Sequence, residues 1–511
     1  MKVVKLIYVL YKIKLLSPLG MYRLLVSFYR YGINLMTLLH IAERKYADHV
    51  ALLDDMETLN YKQLLSQSKK LAYCLKEDSH IEKGQKVGIL CRNHASLVKS
   101  IFALSQLGAD IYLLNTEISK TQFHKFANRH NFNVVIFDNE FGSYMEQSHD
   151  ISKKILSYHH HLPAINNFLH SNYDEVRNLE RTSMGKIVLQ TSGTTGTSKE
   201  AAHKPSLFNY LNPFVELISR LQLINYHTAY VATPIYHGYG IAILLLFIPL
   251  GKKVVISSDF DSKKACHLIR EHQVEVATVV PLMLQRMLST NSEDLGTLSC
   301  VASGGAKLSE ELVDNTVRAL GNVLYNLYGT SEAGLNIIAT PQDLMYSTYT
   351  IGKKIKGVRL KVLDDNWKEV QVGKIGQICI RNKWSMSNKN SSWIETGDLG
   401  YRDDHGYFFL RGRTDDMVVS GGENVYPIEM EHVLLKHPFI EDVAVIGVSD
   451  EQFGERLKAI VLPVRNTCLT EKEILEWLRT KVARFQMPRE VVIVQQMPYT
   501  NLGKLDRKKL I

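Results

Sequence analysis

From residue 43 onward, short apolar runs rich in β-branched residues alternate with stretches of helical period. Segments 86–90, 134–137, 186–190, 229–233, 253–257, 276–280 and 299–303 predict buried strands. Between them, 263–272 and 282–288 repeat apolar residues at helical spacing. Strands separated by helices need crossover connections, so the pattern predicts parallel sheets and an α/β fold. The run 241–250 is apolar throughout, but it contains Pro249 and is about half the ~20 residues that a spanning helix requires. It predicts a buried core element.

Residues 1–42 read differently. Apolar residues are interleaved there with Lys2, Lys5, Lys12, Lys14, Arg23 and Arg30, and no acid precedes Glu43. The apolar stretch is cut by Lys12 and Lys14 and no small-residue cleavage site follows, so no secretory signal is expected. The pattern predicts two short helices broken near Pro18 to Gly20, apolar on one side and basic on the other. Such a pair could lie on a membrane surface or beside a greasy substrate entrance. The alternative is an arm packed on the main domain with its lysines merely solvated.

Composition sets the scale. The chain has 511 residues, of which 45% are hydrophobic and 22% charged, ordinary usage for several globular domains. Of its net charge of +9 the arm carries +6, and the small remainder is scattered, which argues against a nucleic-acid partner. Cys74, Cys91, Cys266, Cys300, Cys379 and Cys468 lie far apart, and they are expected to be reduced, buried thiols of a cytoplasmic protein. The cluster His159-His160-His161 has no second ligand group at zinc spacing and is expected to be a solvated loop. The polar segment 411–416 predicts a boundary, giving an arm over 1–42, a large domain over 43–411 and a small one over 412–511.

The densest chemistry is Thr191-Ser192-Gly193-Thr194-Thr195-Gly196-Thr197-Ser198-Lys199, directly after a predicted strand. Its glycines let backbone N–H groups approach phosphate oxygens, its hydroxyls donate, and Lys199 adds a point charge. That suits a triphosphate. The Walker pattern is excluded, because it would place Gly-Lys where Ser198-Lys199 stands.

This string is followed by YGTSE at 328–332, TGD at 396–398, GRTDD at 412–416 and GK at 503–504. In this order and spacing the set resembles the adenylate-forming superfamily, which includes acyl-CoA synthetases, luciferases and peptide-synthetase adenylation domains. The resemblance covers roughly 40–511. It implies a large N-terminal domain of parallel-sheet α/β subdomains with a small β-barrel, and a smaller, mobile α+β C-terminal domain. It also implies roles. Thr191, Ser192, Gly193, Thr194, Thr195 and Gly196 would hold the phosphates of ATP, with Gly305 and Ala306 beside the adenine. The Tyr328 ring would stack on the purine next to Gly329, and the Thr330 hydroxyl would reach the α-phosphate. Glu332, with Thr194, would hold Mg²⁺, a cation that takes hard oxygen ligands. Asp398 and Arg413 would bind the ribose, and Asp415 would be the hinge on which the C-terminal domain turns. Lys504 matches the catalytic lysine that, with Lys199, offsets the charge of a carboxylate meeting a phosphate.

Ser420, Gly421 and Gly422 resemble the loop lining the tunnel for the thiol arm of CoA. No acid occurs over 234–240 to pair a substrate ammonium, and His237 looks like the residue that orients an acyl carboxylate. Two departures stand out, because the phosphate loop ends in Ser198-Lys199-Glu200 where Pro-Lys-Gly is common. The expectation is a fatty acyl-CoA synthetase for medium- to long-chain acids, using ATP, Mg²⁺ and CoA. An aryl-CoA ligase or an acyl-AMP ligase loading a carrier protein is the alternative, and a non-catalytic acyl-lipid or membrane-binding homologue is a rival from another class. The fatty acid, ATP and CoA would be its partners. Peripheral contact with the inner face of the membrane through residues 1–42 and a homodimer complete the expectations.

Overall fold

The computed structural model describes residues 17–146, 148, 151–160, 162, 164–170, 179–191, 199–203, 207–386, 392–420, 423–450, 454–500, 505–506 and 509–510. Internal contacts divide the chain into two units. The first comprises 1–342, 355–357 and 382–392, and the second 343–354, 358–381 and 393–511.

The first unit is built on two sheets. One runs in the order Gly334–Ala339, Leu324–Thr330, Cys300–Gly304, Val276–Val279, Thr228–Val231, Lys253–Val255, Val50–Leu53 and Thr58–Asn60. Its inner pairs are parallel, and an antiparallel strand closes each end. The other sheet has 6 strands in the order Lys153–Leu156, Val134–Phe137, Lys86–Leu90, Asp110–Leu113, Ile187–Thr191 and Lys199–His203, and only the last pair is antiparallel. Val276–Val279 and Val134–Phe137 are buried at every position, as strands covered on both faces must be. The strands and helices expected from residue 43 onward are all present, with ends that differ by at most three residues. The apolar run near 241 is the helix Gly238–Phe247, with Ile241, Ile243, Leu244, Leu246 and Phe247 buried.

In the N-terminal segment a helix, Pro18–Tyr31, starts where the break was expected, and the helix expected before it lies outside the described residues. The Ser17 side chain accepts from the Gly20 N–H, and Pro18 stands in the first turn, where its missing N–H costs nothing. A further break follows Tyr31. Gly32 has φ +86°, and a Cβ on it would lie 2.4 Å from the Thr182 carbonyl oxygen, so only glycine fits. Asn34 then caps the helix Leu35–Tyr46, which packs into the first unit through Leu35, Met36, Leu39 and Ala42.

Ser27 and His40 tie the two helices together. The single Ser27 hydroxyl proton is spent on the Arg23 carbonyl at 2.7 Å, so His40 Nδ1–H donates to Ser27 Oγ at 2.8 Å. Burial, with Arg30, Arg44 and Lys69 nearby, pushes the His40 pKa down to about 4. A second buried tie is Lys99, whose ammonium donates to Glu57 at 2.6 Å and Gln67 at 3.1 Å.

In the second unit, Arg359–Leu363, Gly376–Arg381, Ile394–Arg402, Phe408–Arg413 and Thr350–Lys354 are antiparallel neighbours in that order. A second sheet runs Glu423–Val425, Val418–Ser420, Gly454–Pro463 and Ile440–Asp450, with Glu490–Ile493 parallel to Gly454–Pro463. The helices Pro427–Leu434 and Glu471–Arg479 cover it, burying Met430, Leu434, Ile474 and Leu478 against Val445, Leu457 and Val461. All six cysteines are free thiols. Five are buried, but Cys468 is exposed, because it lies in the polar turn before the helix Glu471–Arg479.

Two predictions follow from these ties. His40 binds a proton more weakly folded than unfolded, so its contribution is complete above the ordinary value of 6.5 and is lost as pH falls toward about 4. Amide exchange across 18–46, corrected for intrinsic rate, is expected to rise over that window in the native protein and to stay flat in His40→Gln; a rise in both would contradict the assignment. Glu57→Ala strands the Lys99 ammonium and is expected to cost about 3 kcal/mol, whereas Lys99→Met, which removes the buried charge itself, costs less. Urea midpoints in the reverse order would contradict this.

Candidate active site

In the first unit the predicted residues gather where the parallel strands end. Tyr328, Gly329 and Thr330 close the strand Leu324–Thr330, which turns back into Gly334–Ala339 with Thr330 paired to Gly334. A Cβ on Gly329 would lie 2.4 Å from the Gly334 carbonyl oxygen, so the tight return permits no side chain. Thr330 Oγ1 accepts from the Ala333 N–H at 3.1 Å, leaving its own proton available to a ligand. Glu332, half-buried, sits in that turn, which is pinned by the Met386 N–H donating to its carbonyl at 2.8 Å. A half-buried carboxylate two residues from a threonine hydroxyl is an oxygen donor set that fits Mg²⁺.

One strand away, Cys300–Gly304 is wholly buried and leads into Gly305 at φ +82° and Ala306. Gly305 is needed for its backbone and Gly304 for space, since a Cβ on Gly304 would lie 3.0 Å from the Leu327 carbonyl oxygen. His237 caps the helix Gly238–Phe247, with its ring 4.6 Å from that of Tyr236. The following residues add what the sequence alone did not single out. The Tyr239 hydroxyl donates to the Ala302 carbonyl at 2.7 Å, and its ring edge would meet a Cβ on Gly304 at 3.6 Å. Burial raises its pKa well above the ordinary tyrosine value. Thr233 Oγ1 and Ser303 Oγ are buried, with no hydrogen-bond partner among the described residues. Tyr239 stands inside the 234–240 segment that was already notable for lacking an acid, and Thr233 directly precedes it.

The phosphate-loop residues Ser192, Gly193, Thr194, Thr195, Gly196, Thr197 and Ser198 lie outside the described residues. Their frame does not. Thr191 and Lys199 are direct cross-strand partners, as are Gln190 and Glu200, so the loop closes an antiparallel hairpin on the edge of the 6-stranded sheet. Lys504, Gly421 and Gly422 also lie outside the described residues. Ser420, fully buried, pairs with Glu423 at the ends of the strands that flank the two glycines.

In the second unit, Asp398 and Arg413 face each other across adjacent strands. Arg413 donates from Nη1 to Asp398 at 3.1 Å and from Nε to Asp415 at 2.9 Å. Gly397, at φ +74°, makes this possible, because a Cβ there would lie 2.8 Å from Arg413 Nη2. The two residues expected to bind ribose are thus together, and the residue expected to act as hinge shares their arginine. A cavity of about 450 Å³ in the same unit, lined by Tyr349, Tyr401, Phe409, Tyr426, Arg411 and Lys481 among others, includes none of the predicted residues.

A metal reading of Cys91, His94 and Asp138, whose ligand atoms cluster, fails on hydrogen bonding. His94 Nδ1 accepts from the Leu97 N–H at 3.1 Å and Nε2 pairs with Asp138 at 2.8 Å, so neither nitrogen has a lone pair to give. The cluster is a helix cap.

Comparison with known proteins identifies the family. The family model described as AMP-binding enzyme matches residues 39–388, and that described as AMP-binding enzyme C-terminal domain matches 429–504. A fatty acid–[acyl-carrier-protein] ligase of Streptomyces coeruleorubidus is 27% identical over 486 residues, covering 90% of this chain and 92% of the relative. A 2-succinylbenzoate–CoA ligase of Bacillus licheniformis is 27% identical over 480 residues, covering 91% and 96%. Among solved structures, o-succinylbenzoate CoA synthetase from Bacillus subtilis in complex with its acyl-adenylate intermediate superposes with a TM-score of 0.80 at 23% identity, covering 93% of this chain and 97% of that one. That likeness shows a shared fold. With family models matching most of its length and both of its parts, the chain belongs to the AMP-binding enzyme family, the adenylate-forming enzymes.

Proposed function

We propose that the protein joins a compact, aryl-bearing carboxylic acid to coenzyme A at the expense of ATP, through an acyl-adenylate. The observation that carries the choice of acid is Tyr239. Its ring fills the space beside Gly304 at the strand ends, fixed there by the bond to the Ala302 carbonyl. A long flexible chain would need that space, whereas a flat ring can stack against the tyrosine. The 2-succinylbenzoate–CoA ligase relative supports the same reading over the fatty acid expected from sequence. The absence of any acid over 234–240 removes a counter-charge for an amino acid.

In the first half-reaction a carboxylate oxygen forms a bond to the α-phosphorus of ATP, and the bond to the pyrophosphate oxygen breaks. Both reactants are anionic, so the residues must supply positive charge and donors before they meet. Lys199 and the loop from Thr191 to Gly196 cradle the phosphates, the Thr330 hydroxyl donates to the α-phosphate, and His237 holds the acid. Tyr328 and Gly329, with Gly305 and Ala306, receive the base, and Asp398 accepts from the ribose hydroxyls beside Arg413. Lys504 bridges carboxylate and phosphate as charge builds. Glu332 and Thr194 would hold Mg²⁺, which when bound neutralises phosphate charge. In the second half-reaction the thiol sulfur forms a bond to the acyl carbon, AMP leaves, and the thiol proton passes to solvent. Rotation at Asp415 withdraws Lys504 and brings Ser420, Gly421 and Gly422 to the thiol arm. A fatty acid loaded onto a carrier protein is the second reading, favoured by the Streptomyces relative.

Lys504→Ala is expected to slow adenylate formation from acid and ATP by about 10²–10³-fold while sparing thioester formation from supplied acyl-adenylate. Equal loss in both assays would contradict the assigned role. Across benzoate, 2-succinylbenzoate, indoleacetate, decanoate and palmitate, the aryl acids are expected to give the higher kcat/KM with CoA. Tyr239→Ala should then shift preference toward the longer chains. A native preference for palmitate would overturn the aryl reading, and transfer to a carrier protein with none to CoA would favour the second.

A further inference from the structure

The helix Pro18–Tyr31 faces the wrong way for a helix that belongs only to the protein core. Its buried residues are Gly20, Ser27 and Tyr31. Five of its large apolar residues point outward, with Leu19, Met21, Tyr22, Leu25 and Tyr29 exposed at 56, 52, 57, 66 and 79%, and Ile33 just beyond it at 54%, while Leu24, Val26 and Phe28 are partly buried. At 100° per residue these side chains form one stripe opposite the buried face. The Ser27–His40 bond at 2.8 Å sets the rotation, so the stripe cannot turn inward without breaking it. Scattered exposed apolar residues are ordinary, but a continuous stripe marks a surface that is covered in use.

Charge selects what covers it. Before Glu43 the chain carries Lys2, Lys5, Lys12, Lys14, Arg23 and Arg30 and no acid. Exposed Arg181, from the body of the first unit, lies 6.0 Å over the Tyr29 ring and adds another cation beside the stripe. A second copy docking on this face would bring two such cationic sets together. An anionic surface would be attracted instead, by about 1 kcal/mol for each Lys or Arg close to it. The helix has 14 residues, about 21 Å at 1.5 Å per residue, too short to cross a ~30 Å hydrocarbon core. No helix among the described residues is long and apolar enough to span a membrane. A short helix with an apolar stripe, two tyrosines within it and arginines at its flanks fits the plane of a bilayer interface.

We propose that the helix Pro18–Tyr31 docks the protein on bilayers containing anionic phospholipid, lying parallel to the surface with Leu19, Met21, Tyr22, Leu25 and Tyr29 inserted. This assignment is independent of the acid the protein activates. The test is sedimentation of the full chain with vesicles of phosphatidylcholine alone and of phosphatidylcholine mixed with phosphatidylglycerol. Binding is expected only to the mixed vesicles and should weaken as salt rises. The double variant Leu25→Glu with Tyr29→Glu is expected to lower the partition coefficient by at least ~10-fold, since two large side chains lose their insertion. Arg23→Glu with Arg30→Glu should lower it by at least a similar factor. All four positions are at least partly exposed, so circular dichroism and the thermal midpoint should match the native protein. Undiminished sedimentation of both variants would overturn the proposal. So would light scattering showing a dimer that the Leu25 and Tyr29 substitutions dissolve without any change in vesicle binding.

Discussion

Joining a carboxylate to a phosphate forces two anions into contact, and the architecture of the first unit answers that repulsion. Parallel strands end together, and at their ends the backbone must come close to whatever binds there. Gly304, Gly305 and Gly329 stand at those ends for identifiable reasons. At two of them a Cβ would press against a carbonyl oxygen, at 3.0 Å and 2.4 Å, and at the third φ is positive. Donors and cations can then be supplied from turns whose geometry the sheet fixes in advance. The hairpin register that sets Thr191 opposite Lys199 is the same device at the edge of the neighbouring sheet.

In the proposed mechanism activation and selection fall to different residues. The strand-end turns, with Thr330 and Glu332, would meet groups that every adenylating reaction shares. Tyr239 would meet only the acid. It is placed by a hydrogen bond to the Ala302 carbonyl, so it shares a support with Gly304 and Gly305. A change in acid preference can therefore arise at one side chain without disturbing the glycine turns. In the second unit, Arg413 is divided between Asp398 and Asp415, which couples the pair proposed to bind the sugar to the residue proposed as hinge.

The sheets of the first unit were legible because buried parallel strands leave continuous apolar runs, and Val276–Val279 and Val134–Phe137 lie where those runs predicted. Pro18 begins the helix Pro18–Tyr31, and the Ser17 cap and the Gly32 backbone fix its two ends. Motif spacing located Asp398 and Arg413, but their pairing across Gly397 depends on strand register. The placement of Tyr239, the proposed selector, was invisible for a similar reason. Its partner is 63 positions away in the chain, and no local pattern announces it.

The central claim is that the chain activates a carboxylic acid as its adenylate, and exchange of labelled pyrophosphate into ATP reads that step alone, without CoA. Exchange is predicted to require added acid and Mg²⁺ and to be supported best by aryl acids. Exchange that is absent with every aryl and fatty acid offered would contradict the claim.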